Sequence, residues 1–187
     1  TAGGATYNDK NVAAANKVSY TGLALTGAGA GNYTLAATTA QGAGTITRRA
    51  LTLGLVQNSG IDKVYDGSDR LVDTTAKHWN KLTDVDPAGN VKYADSATAK
   101  DKLVTTDGTR FNITSKYDDK NVARSGRDVV DKNITYTVNI ADGDARNYTL
   151  SDGHATVNAE VGLTLSATGK ITPKDLSGAF KKITKVY

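Results

Sequence analysis

Apolar and polar residues alternate with period two over Ile134, Tyr136, Val138 and Ile140, with Thr135, Thr137 and Asn139 between them. Alternation of this kind sends successive side chains to opposite faces and predicts a half-buried β-strand. Shorter versions of the signal run through Leu51, Leu53 and Leu55, through Phe111 and Ile113, through Val91 and Tyr93, and through Val18 and Tyr20. Between these runs stand "YDGSD", "PAGN", "TTDGT" and "ADGDARN", in which Asp, Asn and Gly supply turn chemistry. Helical periodicity has no convincing carrier, since its best stretch, "DSATAKDKLV" at 95–104, is short and weakly amphipathic. Many short strands separated by such turns predict an all-β chain built as an antiparallel, Ig-like β-sandwich.

Composition sharpens this picture. The chain has 18 Asp but one Glu, and 19 Gly but two Pro, a balance that favours turns and strands over helices. Cysteine and methionine are absent, so stability has to come from packing and backbone pairing, with no disulfide, thiolate chemistry or Cys-based zinc site. A cysteine-free chain suits a protein exported unfolded across membranes. The formal charge is +4, yet the basic residues are scattered singly among the Asp, with only the short pairs Arg48-Arg49 and Lys181-Lys182. A nucleic-acid partner would call for clustering. No apolar run approaches the roughly 20 residues of a membrane span, and no signal peptide opens the sequence.

A duplication organises the chain. "YNDKNVA" at 7–13 returns as "YDDKNVA" at 117–123, "NYTLA" at 32–36 as "NYTLS" at 147–151, and "ITRRALT" at 46–52 as "ITPKDLS" at 171–177. "KVYDG" at 63–67 begins again as "KVY" at 185–187. Motif order is kept while the offset varies: 110 residues from Tyr7 to Tyr117, 115 from Asn32 to Asn147, 125 from Ile46 to Ile171, 122 from Lys63 to Lys185. Variable spacing argues for loops between fixed strands rather than a solenoid of constant pitch. The expected division is residues 1–48 as the second half of one module, 49–172 as a complete module, and 173–187 as the start of a third, the whole being an internal piece of a longer array.

Each motif has a structural reading. Tyr117 buries its ring and keeps its hydroxyl for a hydrogen bond, Asp118 and Asp119 accept from turn amides, and Val122 returns to the core. Asn147 serves as the turn residue ahead of Tyr148 and Leu150. Tyr65, Asp66 and Gly67 make the turn of "KVYDG".

In this order, "KVYDG", "YDDKNVA", "NYTLS" and "GKITPK" resemble the YDG and MBG-type repeats of large bacterial surface adhesins, and residues 7–52 resemble them more closely still. Such repeats occur in filamentous-haemagglutinin-like exoproteins of the two-partner secretion type and in related autotransporters. The resemblance implies extracellular β-sandwich modules in tandem, acting as stalk or host-contact domains at the bacterial cell surface, and no catalytic residues. Residues 68–116 depart from it, being longer and more charged than the family pattern.

Other chemistry is sparse. His78 and His154 lie far apart in sequence, and no catalytic motif accompanies them, so no enzyme is expected. Two Asp-rich turns offer oxygen ligands for calcium: Asp142, Asp144 and Asn147 in one, Asp84, Asp86 and Asn90 in the other. Both lack the bidentate Glu of an EF-hand, and alternating Asp is common in turns without metal. Glu160 among apolar neighbours has the setting of an acid assisting a Lys–Asn isopeptide crosslink, but reads more simply as an outward strand residue opposite Val161, Leu163 and Leu165. Asn-x-Thr triplets begin at Asn32, Asn112, Asn133 and Asn147, and would be glycan acceptors in a glycosylated secreted chain.

The lone tryptophan, Trp79, follows His78 in "KHWNK". It reads first as a core residue and second as the surface to test for a ligand. Two functions follow. One is a structural spacer in an adhesin or filament, its partners being neighbouring modules or copies of itself head-to-tail. The other is an adhesive module holding a host glycan or matrix protein through residues 68–110.

Overall fold

The structure, a computed structural model, describes residues 1–72, 90–104, 109–140 and 145–178. Its strands are β1 (Gly4–Tyr7), β2 (Lys17–Thr21), β3 (Ala40–Ala43), β4 (Arg49–Leu55), β5 (Lys63–Val64), β6 (Arg70–Val72), β7 (Val91–Tyr93), β8 (Phe111–Tyr117), β9 (Arg124–Ser125), β10 (Asp128–Val129), β11 (Lys132–Ile140), β12 (Tyr148–Ser151), β13 (Thr156–Asn158), β14 (Leu163–Gly169) and β15 (Ile171–Thr172). Among the described residues the helical geometry is confined to 3-10 turns, at Ala30–Asn32, Ala99–Asp101 and Ala145–Asn147. The chain is all-β. None of its described helices is long and apolar enough to cross a membrane.

Two four-stranded sheets carry most of the pairing, in the orders β14-β11-β8-β6 and β13-β12-β4-β7. β11 sits centrally in the first, with Tyr136 opposite Leu165 on β14 and Ser115 on β8. Its alternation was the clearest in the sequence, and Ile134, Tyr136, Val138 and Ile140 are all buried. Both sheets feed one apolar cluster, with Leu51, Leu53 and Leu150 from one and Phe111, Ile113, Tyr136 and Leu163 from the other. Every buried member of that cluster lies between Leu51 and Ile171. Ahead of it, β1, β2 and β3 form a separate three-stranded sheet, and residues 1–48 contribute only Ala15 and Val18 to the buried apolar set.

Two pairings depart from the antiparallel expectation. β4 runs parallel to β12, with Leu51 opposite Leu150, and β5 runs parallel to β15, with Lys63 opposite Ile171. In both cases strands from opposite ends of the 49–172 stretch meet. No short hairpin joins them, so nothing imposes antiparallel order.

Three side chains depart from their expected places. Tyr20, expected to face inward with Val18, is exposed, since the large apolar cluster of the described residues does not extend to it. Glu160 lies in the turn between β13 and β14 rather than in a strand, and Val161 is exposed instead of joining Leu163 and Leu165. There the Val161 amide donates to the Asn158 carbonyl, and Gly162 at φ +100° brings the chain back into β14.

The described residues of 68–110 join both large sheets. They supply β6 to one and β7 to the other, and Val91 and Leu103 are buried. Asn90, expected as an oxygen ligand, is a buried bracket: its Nδ2 donates to the Tyr136 hydroxyl at 3.1 Å and its Oδ1 accepts from the Gln57 amide at 2.9 Å.

Candidate functional site

The repeated heptad folds the same way twice. In the first copy the Asn11 amide donates to Asp9 Oδ1 at 2.7 Å, and in the second the Asn121 amide donates to Asp119 Oδ1 at 2.7 Å. These are Asx turns, in which the carboxylate stands in for a backbone acceptor two residues back. In both copies hydrogen bonds hold the carboxyl below the usual carboxylate range. For Asp9 the largest cause is the Asn11 amide; for Asp119 it is the Lys132 ammonium, 2.6 Å away. Lys132 is buried along its stem and also donates to the carbonyls of Asp119 and Asn121 at 3.0 Å each, so it ties β11 to the heptad turn.

The tyrosine opening each heptad reaches equivalent backbone. Tyr7 donates to the Thr45 carbonyl at 3.4 Å, and Tyr117 lies 3.3 Å from the Lys170 carbonyl, its counterpart across the duplication. Tyr117 has a further acceptor in the Ile61 carbonyl. Its ring is fully buried, whereas Tyr7 is 43% exposed. The glycines beside these carbonyls correspond too. A Cβ on Gly44 would overlap Val18 and Tyr7, and one on Gly169 would fall 1.8 Å from the Ile61 oxygen.

"KVYDG" closes on itself. Lys63 pairs with Asp66 at 2.8 Å and donates to the carbonyls of Ser68 and Arg70, while Asp66 accepts from the Ser68 amide at 2.9 Å. The Lys63 ammonium is the largest cause keeping the Asp66 carboxyl below its usual range. Gly67 sits at φ +86°, where a side chain would be strained. Tyr65 packs against the core and its amide donates to the Thr172 carbonyl at 2.8 Å. Val122 also packs against the core, as expected.

Asn147 joins the two copies. Its Oδ1 accepts from the Val12 amide at 2.9 Å, and its Nδ2 donates to Asn11 Oδ1 at 2.9 Å. Arg48 Nε donates to the Arg146 carbonyl at 3.0 Å alongside. The heptad of residues 1–48 is thus seated on the 3-10 turn Ala145–Asn147 of the following stretch. Sequence reasoning singled out Asn147 and Val12's counterpart Val122 but missed this contact. The available signal was that Asn147 and the heptad both belong to the duplicated set.

The turn and the second heptad lie at opposite ends of β11. Lys132, at its start, holds the heptad, and Ile140, at its end, precedes the turn by five residues. At about 3.4 Å per residue β11 spans roughly 27 Å.

His78, Trp79, Asp84, Asp86, Asp142 and Asp144 lie outside the described residues, as does "KVY" at 185–187. Among the described residues no group of three His, Cys, Asp or Glu could hold a metal ion. His154 is exposed in the β12–β13 hairpin, where its amide donates to Asp152 Oδ1 at 2.8 Å. Glu160 is exposed and so lacks the apolar enclosure that a crosslinking acid needs. Of the Asn-x-Thr positions, Asn32 and Asn133 are exposed, while Asn112 and Asn147 are half-buried.

Residues 1–40 match the family model of the YDG domain. The match covers β1, β2 and the first heptad, and stops before the stretch that holds the large core. No curated protein and no solved structure matches the chain.

Proposed function

We propose that this chain is part of a tandem array of β-sandwich modules that acts as a structural spacer in an extracellular bacterial adhesin or filament. The observation that carries the reading is the pair Tyr7 and Tyr117: the same residue type, at the same heptad position, aimed at corresponding carbonyls, is exposed in one copy and enclosed in the other. The difference is the Ile61 segment, which belongs to the first half of a module. Residues 49–172 have that half. Residues 1–48 do not.

Other counterparts agree. Tyr33 and Leu35 are exposed where Tyr148 and Leu150 are buried, and Leu176 is 90% exposed where Leu51 is fully buried. Leu51 and Leu150 face each other across the parallel β4–β12 pair, so Leu176 and Leu35 are the two sides of a pair awaiting neighbours. In a continuous array, or between copies arranged head-to-tail, a strand like Lys174–Ser177 covers a face like Tyr33–Ala36. Two large sheets sharing one core support the sandwich reading of 49–172, and the joint at Asn147 supports tandem packing. The bacterial-surface setting rests on the YDG match and on the family resemblance of the motifs. The reading assigns no catalytic residue and no cofactor.

Chains carrying one, two and three copies of residues 49–172 are expected to lengthen by a constant increment in small-angle X-ray scattering, with no saturable binding to host glycans or matrix proteins. Saturable binding lost in Trp79→Ala, with the melting temperature unchanged, would replace the spacer by an adhesive module working through residues 68–110.

A further inference from the structure

Both halves of the Asn147 joint recur in the chain, and neither recurrence repeats the joint among the described residues. The donor half recurs at the second heptad. Asn121 repeats the Asx turn of Asn11 but is exposed where Asn11 is half-buried, and among the described residues the Val122 amide meets no acceptor, whereas the Val12 amide is held by Asn147. The acceptor half recurs at Ala30–Asn32, a 3-10 turn preceding Tyr-Thr-Leu just as Ala145–Asn147 does. Asn32 is exposed, and its side chain has no hydrogen-bond partner among the described residues.

We propose that Asn121 and Val122 form a docking site for the Ala30–Asn32 turn of a second copy of this chain, through the two hydrogen bonds that Asn11 and Val12 make to Asn147. The Val122 amide donates to Asn32 Oδ1, and Asn32 Nδ2 donates to Asn121 Oδ1. The inference rests on reading the chain as repeated modules. It goes further by naming the residues that set one module on the next.

Three features favour this occupant. The contact continues one already made within the chain, with the same residue types in the same backbone geometry. Val122 borders a recess of about 360 Å³ whose other walls include Tyr65, Pro173 and Leu176, an apolar surround that strengthens a polar contact by excluding water. The vacant heptad and the occupied turn sit at opposite ends of β11, so the docking site stands clear of the intrachain joint.

One element of the first joint does not recur. Pro173 stands where Arg48 does, and a proline cannot supply the bond that Arg48 Nε gives to the Arg146 carbonyl. The docking between copies is therefore weaker than the intrachain joint. Within an array a short tether supplies an effective concentration in the millimolar range, which favours occupancy of a weak contact.

The test is a dilution series of the ¹⁵N-labelled full chain by NMR, up to about 1 mM, the concentration a short tether would provide. The Val122 amide and the Asn32 side-chain amide are expected to shift together with concentration. Asn32→Ala should abolish the Val122 shift and leave Val12 unmoved. A Val122 resonance constant over the series, or one that moves equally in Asn32→Ala, overturns the proposal. Asn147→Ala separates the two readings. If it leaves the Val12 amide unmoved, the intrachain joint, and with it the modular reading, fails. If Val12 responds and Val122 does not, only the docking between copies fails.

Discussion

The hydroxyl of Tyr117 donates to the carbonyl of Ile61, fixing the last residue of β8 to the segment that leads into β5. The Lys170 carbonyl lies 3.3 Å from the same hydroxyl, so one side chain reaches both the segment ahead of β5 and the link between β14 and β15. Tyr117→Phe is expected to leave the buried Ile61 carbonyl without this donor and to cost about 1–3 kcal/mol in chemical denaturation. Tyr7→Phe, at an exposed ring, should stay within about 0.5 kcal/mol.

Burial, the largest cause, together with the nearby Asp62 charge, raises the Tyr117 hydroxyl from its ordinary pKa of 10.0 to about 12. The raised value means that the fold favours the neutral phenol. Its contribution is complete below pH 10 and is lost as the pH rises through 12. An alkaline unfolding titration should show this loss in the wild type and a flatter profile over that window in Tyr117→Phe.

β11 supplies a test of register. Tyr136→Asp puts an unpaired charge where the ring is fully buried and removes the hydroxyl that Asn90 donates to. It should cost several kcal/mol, about 3 or more, and unfold the large core. Thr137→Asp, on the opposite and half-exposed face, should cost about 1 kcal/mol or less. Thermal melts ranking the two the other way would contradict the register.

Gly169 has no room for a side chain, since a Cβ would meet the Ile61 carbonyl oxygen at 1.8 Å. Gly169→Ala is expected to force β14 and the Ile61 segment apart, at about 3 kcal/mol. Gly178, with nothing within 4 Å of its would-be Cβ, should accept Ala within about 0.5 kcal/mol. Urea midpoints of the two variants provide the comparison.

Asn147→Ala removes both hydrogen bonds that seat the first heptad. Since the small sheet buries little apolar surface of its own, residues 1–43 should be cut by a non-specific protease well before the rest. The melt of the large core should move by less than about 1 kcal/mol. Equal protease resistance in variant and wild type would show that Asn147 does not hold the head.

What could be read in the sequence was local. The period-two run at Ile134–Ile140 gave a strand with the right inward face, and the Asp residues of the heptads gave Asx turns, because each depends on neighbours within a few residues. The parallel β4–β12 pair was not legible: Leu51 and Leu150 meet across about 100 residues, and neither strand's pattern encodes the other's direction. An Asn beside Asp carries the same local signature whether its oxygen serves a metal or a backbone amide, so the contacts of Asn90 to the Gln57 amide and of Asn147 to the Val12 amide could not be read from the sequence. Val161 was misplaced because the alternation of β14 continued, in the sequence, one residue pair beyond where the turn at Gly162 ends it.

The parallel alignment of β5 with β15 bears on how the 49–172 stretch responds to mechanical load. The Lys63 amide bonds the Lys170 carbonyl at 2.9 Å, the Tyr65 amide bonds the Thr172 carbonyl at 2.8 Å, and the Thr172 hydroxyl bonds the Lys63 carbonyl at 3.2 Å. Tension drawing the chain out past Thr172 slides one strand along the other. Bonds lying across the direction of pull are stressed together, in shear, and must break at once instead of opening like a zipper from one end. Pulled from its two ends, the stretch loads this short clamp in shear, and Tyr117, whose hydroxyl spans Ile61 and Lys170, is the bolt through it.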